Sequence, residues 1–127
     1  MIMYLLLVSV GAGIGAVMRL LLSSSISAAL GAHFPYGTLV VNISGSMVIG
    51  MFYIFFSDKP LFDEVWKPLL FIGMLGGFTT FSAFAYETLR LLENGNLVLG
   101  FVNVVSNVFF CVGGCWLGCQ AAKFLIR

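Results

Sequence analysis

Gly76-Gly77-Phe78-Thr79-Thr80-Phe81-Ser82-Ala83-Phe84 sits at the centre of an apolar run that extends from about Leu69 to Leu92. A run of that length is enough to cross a hydrocarbon core, which takes roughly 20 residues of helix. Its centre is a weak place for continuous helix, because glycine pays a large backbone entropy and β-branched threonine loses rotamer freedom against the preceding turn. The segment therefore predicts a spanning helix that is broken near mid-membrane. Three comparable runs lie outward from it, Ile2 to Leu22, Tyr36 to Phe56 and Leu97 to Ala122. The expected fold class is an all-α membrane protein with four transmembrane helices, in a single transmembrane domain over residues 1–127 with no room for a soluble one.

Composition leads to the same class. Of 127 residues, 61% are hydrophobic and only 9% charged, against about 25% charged in ordinary soluble domains. The net charge of +1 comes from six Lys/Arg and five Asp/Glu scattered singly. No basic stripe exists to neutralise a phosphate backbone, so nucleic acid is excluded as a partner. The first run lacks a basic start and is followed by similar runs, so it reads as a span and not as a cleaved signal peptide.

The connections are read from turn formers. A polar stretch from Ser23 to Pro35 carries Gly31, His33 and Pro35, and Glu93-Asn94-Gly95-Asn96 forms a tight turn. Asp58, Lys59, Pro60, Asp63, Glu64, Lys67 and Pro68 make a charge-rich loop. Lys59, Lys67, Lys123 and Arg127 fall on one side of the membrane, against Arg90 and Arg19 near helix ends on the other. Cytoplasmic loops carry the Lys/Arg excess, and so small a difference allows insertion in both orientations.

Enzymatic chemistry has little to stand on. Gly11, Gly13 and Ala16 satisfy the spacing of a dinucleotide-binding turn, yet no Asp or Glu occurs before Asp58 to hold a ribose. Small residues at a helix contact explain them better. The single histidine, His33, has no nucleophile and acid at a recognisable spacing. Cys111, Cys115 and Cys119 stack on one helical face beside Gly113, Gly114 and Gly118, where thiols serve as small packing residues more readily than as soft-metal ligands.

The polar residues inside the spans are more informative, because hydrogen-bonding groups in hydrocarbon need partners or a wet path. Thr38, Asn42 and Ser46 recur every four residues in the second span, Asn103 and Asn107 do so in the fourth with Ser106 beside them, and Thr79, Thr80 and Ser82 surround the break. For single hydroxyls, interhelical glue is an adequate account. Asn42 is different, since an amide does not satisfy itself on its own helix turn as a hydroxyl does. Arg19 either snorkels from its helix end or draws anions to a pore mouth, and Glu87 with Arg90 three residues on can form a structural pair. Phe78, Phe81 and Phe84 recur every three residues; taken alone they are packing, but ring edges carry positive potential that suits a small anion.

The stretch 76–84 resembles the broken-helix signature of the Fluc (CrcB-type) fluoride channels. Gly37-Thr38-Leu39-Val40-Val41-Asn42-Ile43-Ser44-Gly45 is similar to that family's second-helix motif, and Gly11 to Arg19 to its first helix, with the fourth span the weakest match. The resemblance implies a passive fluoride channel of the cell inner membrane, built as an antiparallel, dual-topology homodimer in contact with membrane lipid. It implies a fluoride pathway lined by Asn42, Phe81 and Phe84, with Thr80 and Ser82 as nearby hydroxyl donors and Arg19 at the aqueous vestibule. In the fourth span Asn103, Ser106 and Asn107 stand where a tyrosine and serines are usual; one or two of them, Ser106 among them, are expected to join the pathway. A structural Na⁺ is implied at backbone carbonyls of Gly76 and Thr79 from each subunit. Phe78 is expected to pack outside the path.

The nearest rival reading is a small multidrug-type exporter, also four helices in a dual-topology dimer, but that class needs an acid within its first span and Ile2 to Leu22 has none. A non-transporting assembly subunit leaves the clustered Gly, Thr and Phe of the break unexplained. The residues alone do not separate a channel from a coupled carrier.

Overall fold

A computed structural model describes residues 1–57, 59 and 62–126, with Phe62 by its backbone alone. Asp58 and Pro60 of the charge-rich loop, and Arg127 of the charge count, lie outside the described residues. The elements in order are α1 (Ile2–Leu30), α2 (Tyr36–Phe56), a π-wound helix π1 (Phe62–Leu75), a short α3 (Gly76–Phe78), α4 (Phe81–Glu93) and α5 (Leu97–Ile126). Among the described residues, four helical stretches are long and apolar enough to cross a membrane: Ile2–Leu30, Tyr36–Phe56, Asp63–Glu93 and Leu97–Ile126.

Two expected connections turn out to be helical in part. α1 continues through Ser23 to Leu30, because serine hydroxyls bond back to the preceding turn: Ser23 Oγ donates to the Leu20 carbonyl at 3.3 Å and Ser25 Oγ to that of Leu21 at 2.8 Å. Polarity that reads as loop is thus absorbed within the helix. The helix stops at Gly31, whose φ of 87° is open to glycine and whose N–H caps the Ser27 carbonyl. The loop expected through Pro68 ends earlier, since π1 begins at Phe62 with Asp63 and Glu64 in its first turn, where carboxylates suit the helix dipole. Lys67 reaches back one turn to Asp63 at 3.1 Å, an exposed pair of small energetic value. Pro68 is carried inside π1, where N–H groups reach back five residues instead of four.

Packing follows the small residues. α1 lies along π1 and α3, and a Cβ at Gly11 or Gly15 would collide with the carbonyl oxygens of Leu69 and Met74. α2 lies along α5, where Gly50 meets the Cys115 carbonyl and Gly118 that of Met47. Backbones this close gain dispersion contacts that bulkier residues would prevent, the usual means of joining helices in lipid. Of the Gly11, Gly13 and Ala16 motif, Gly11 belongs to this contact, whereas Gly13 faces outward with open space around it. In the cysteine ladder, the Cys119 thiol donates to the Gly50 carbonyl at 3.3 Å, so it belongs to the α2–α5 seam. Outward positions such as Leu20, Val98, Phe101, Phe109, Trp116 and Phe124 are exposed apolar side chains, a surface suited to hydrocarbon and not to water.

Candidate functional site

The break between α3 and α4 is where the sequence places it. Thr79 (φ −77°, ψ 156°) and Thr80 (φ −151°, ψ 115°) are extended, so the ladder of backbone hydrogen bonds is interrupted there. Each freed group needs another partner. Thr79 N–H and its hydroxyl both donate to the Leu75 carbonyl, at 3.0 and 2.9 Å. Thr80 N–H, which in an unbroken helix would reach Gly76, donates instead to Asn42 Oδ1 at 2.8 Å, and Asn42 Nδ2 donates to the Thr80 carbonyl at 3.0 Å. One side-chain amide on α2 therefore satisfies both backbone groups of Thr80. The Thr80 hydroxyl then caps α4 by accepting from Ala83 N–H at 3.2 Å, with Ser82 Oγ 3.3 Å away.

From Asn42 a polar chain runs into the fourth span. Asn42 Nδ2 also donates to Asn107 Oδ1 at 3.2 Å, and Asn107 Nδ2 donates to both the carbonyl and Oδ1 of Asn103 at 3.0 Å. Asn103 Nδ2 donates to the Thr88 hydroxyl at 2.8 Å, which in turn donates to the Phe84 carbonyl at 2.7 Å. Asn103 is fully buried, so this chain is the polar core of the bundle. An amide nitrogen has two hydrogens. Both of Asn42's are engaged, one on the break and one on α5.

Two cavities meet at the break. One of about 430 Å³ is lined by Asn42, Gly76, Thr79, Thr80, Phe81, Phe84 and Asn107. The other, of about 640 Å³, is lined by Arg19, Thr38, Thr80, Ser82 and Glu87. Thr80 is common to both. The rings of Phe81 and Phe84 meet edge to face with centroids 5.2 Å apart. Phe81 is 78% exposed on the single chain whereas Phe84 is only 7% exposed. Phe78 is also buried, with its ring against Gly45.

Over residues 6–119 the chain matches the family model described as "CrcB-like protein, Camphor Resistance (CrcB)". The chain belongs to the CrcB-like family. A Magnetococcus marinus protein named "Fluoride-specific ion channel FluC" is 42% identical over 118 residues, covering 93% of this chain and 96% of that one. A Coxiella burnetii protein of the same name is 42% identical over 117 residues, with 91% and 94% covered. A Leptospira interrogans protein, again of that name, is 44% identical over 117 residues, with 89% and 92% covered. The CrcB-like chain is thus a multi-pass membrane protein of a family of ion channels, not enzymes.

In this CrcB-like chain, Asn42, Phe81, Phe84, Thr80, Gly76 and Thr79 gather at one cavity, and Arg19 joins Ser82 and Thr80 at the other. Ser106 lines neither. It sits about 100° around α5 from Asn107, the angular step of one helical residue, while Asn103 and Asn107 share the face toward the break. Glu87 does not pair with Arg90. Its Oε1 accepts the Thr38 hydroxyl at 2.7 Å, and its buried Oε2 has no hydrogen-bond partner among the described residues. Thr88 is a member of the polar chain that sequence reading missed, since its partner Asn103 is on another helix and its only local mark is a hydroxyl one turn from Phe84.

Proposed function

We propose that this chain is a fluoride-selective channel through which cytoplasmic fluoride leaves by passive diffusion across the cell inner membrane. Its pores would run along the interface of two copies inserted antiparallel. The name shared by its relatives supports fluoride as the permeant ion. The observation that carries the mechanism is the Asn42 amide, pinned to the break with Thr80 and the Phe81 and Phe84 rings at the same cavity. Fluoride is small and strongly hydrated, so a dry path must replace water with donors already in place. Asn42 supplies one by giving up the longer of its two bonds, the 3.2 Å bond to Asn107, while the 3.0 Å bond keeps Thr80 in position. Ring edges add positive potential. Arg19, in the cavity on the other side of Thr80, raises the local anion concentration.

The diversion of Thr80 N–H to Asn42 also relieves the Gly76 carbonyl of its helical donor. Gly76 and Thr79 carbonyls from two copies would then hold the structural Na⁺, since hard cations take oxygen ligands. A crystal grown in sodium should show a buried peak between these carbonyls with no acidic side chain nearby. Density at that position behaving as a mobile water would refute the site.

Dual insertion follows from the small Lys/Arg bias. A reporter fused to the C-terminus should be found on both faces of the inner membrane, and exclusive signal from one face would rule out the antiparallel dimer. The channel mechanism itself is tested in liposomes loaded with potassium fluoride. Release should require valinomycin to carry the balancing K⁺ and should ignore a collapsed proton gradient; release that depends on that gradient would make the protein a coupled carrier. The exporter reading gains no support, because the first span offers no acid to couple protons.

A further inference from the structure

One cavity plays no part in the pathway above. It lies at the loop end of the bundle, between the Gly31–Pro35 connection and the Asn94–Asn96 turn, encloses about 360 Å³, and is lined by His33, Glu87, Arg90, Asn94 and Asn96. Glu87 lines this cavity and the Arg19 cavity alike, so the two share a wall. The Arg90 guanidinium lies 6.0 Å from the centre of the Tyr86 ring and forms no ion pair with a described residue. His33 stands edge-on to Tyr36 at 5.6 Å and is exposed, with no hydrogen bond to a described residue.

We propose that this cavity is an outer mouth in which Arg90, with His33 and the amides of Asn94 and Asn96, holds a small hydrated inorganic anion at the threshold of the Arg19 cavity. The inference rests on the channel reading and gives it an entrance. The groups facing His33 decide the charge there. α4 contributes the Glu87 carboxylate and the Arg90 guanidinium, α1 only the Ser27 hydroxyl, the α4–α5 turn only amides, and α2 the neutral Tyr36 ring. A neutral imidazole leaves the Arg90 guanidinium as the cation lining the mouth, and an imidazolium would add a second beside it. One added positive charge at a water-facing mouth concentrates anions roughly two- to fivefold at low ionic strength, an effect lost when salt shortens the screening length.

The test measures initial fluoride efflux at sub-saturating fluoride, from liposomes at about 10 mM ionic strength where screening extends some 30 Å, with protein-free vesicles subtracted. Wild-type flux should exceed that of Arg90→Gln about two- to fivefold, and this excess should shrink at high salt. Arg90→Lys should be close to wild type, since charge and not shape is at work, and His33→Lys should be faster than His33→Gln by a similar factor. A conducting wild type whose Arg90→Gln variant matches it in rate, with His33→Lys no faster than His33→Gln, overturns this inference alone. A wild type with no flux above protein-free vesicles overturns the channel reading and the mouth with it.

Discussion

Replacing Asn42 by leucine should abolish fluoride flux and weaken the fold together. Leucine has nearly the same bulk but no polar atoms, so Thr80 N–H and Thr80 C=O both lose their partner, as does Asn107 Oδ1. A buried group left unpaired costs about 1–3 kcal/mol, so the two Thr80 groups alone predict a loss of roughly 2–6 kcal/mol. The break would then shift or close into helix. Asn42→Asp separates the two roles. It keeps an acceptor for Thr80 N–H and strands only the Thr80 carbonyl and Asn107 Oδ1, so the protein should lose less stability than with leucine and still elute as wild type, but it replaces the N–H donor with a negative charge facing the anion. Flux should fall at least about a hundredfold, equivalent to some 2.7 kcal/mol on the highest barrier. Wild-type efflux through Asn42→Asp would remove Asn42 from the path and leave it only as a support for the break.

The second large effect is expected at the rings. Phe81→Ile and Phe84→Ile keep an apolar side chain of similar size while removing the positive edge. If the rings only pack, each swap should cost under about 1.5 kcal/mol and leave transport intact. Phe81 sharpens the comparison, because its ring is mostly exposed on the single chain and has little folding energy to lose there. If the edges take part in conduction, efflux should fall by orders of magnitude in both variants while each still elutes as wild type, tenfold for every 1.4 kcal/mol added to the barrier. Phe78→Ile is the control, since that ring packs against Gly45. Ordinary efflux through both Phe81→Ile and Phe84→Ile would defeat the ring-edge mechanism without touching the fold.

Much of this was legible because membrane spans and their interruptions are written locally. The break needs only Gly76 to Thr80, residues that weaken a helix whatever surrounds them. The polar stripes at Thr38, Asn42 and Ser46, and at Asn103 and Asn107, are legible as faces from their spacing of four. What spacing leaves out is partnership. Asn42 meets Thr80 across 38 residues and Thr38 meets Glu87 across 49, and neither pairing leaves a mark on either segment. Glu87 beside Arg90 suggested an i, i+3 pair, yet the carboxylate turns to another helix. The serines of 23–25 misled for the opposite reason: their hydroxyls are satisfied within one turn, so polarity there says little about where the helix ends. Ser106 is one residue from Asn107 in sequence and about a third of a turn away in space, so neighbours in sequence need not share a face.

The central claim is that the break held by Asn42 builds a path that accepts fluoride and rejects larger halides. Its most direct test is purified protein in liposomes holding potassium fluoride and potassium chloride together, with both anions followed by ion-selective electrodes after valinomycin opens the K⁺ gradient. Fluoride should leave rapidly and chloride should stay at the level of protein-free vesicles. Chloride leaving as fast as fluoride, or fluoride staying inside, would contradict the account.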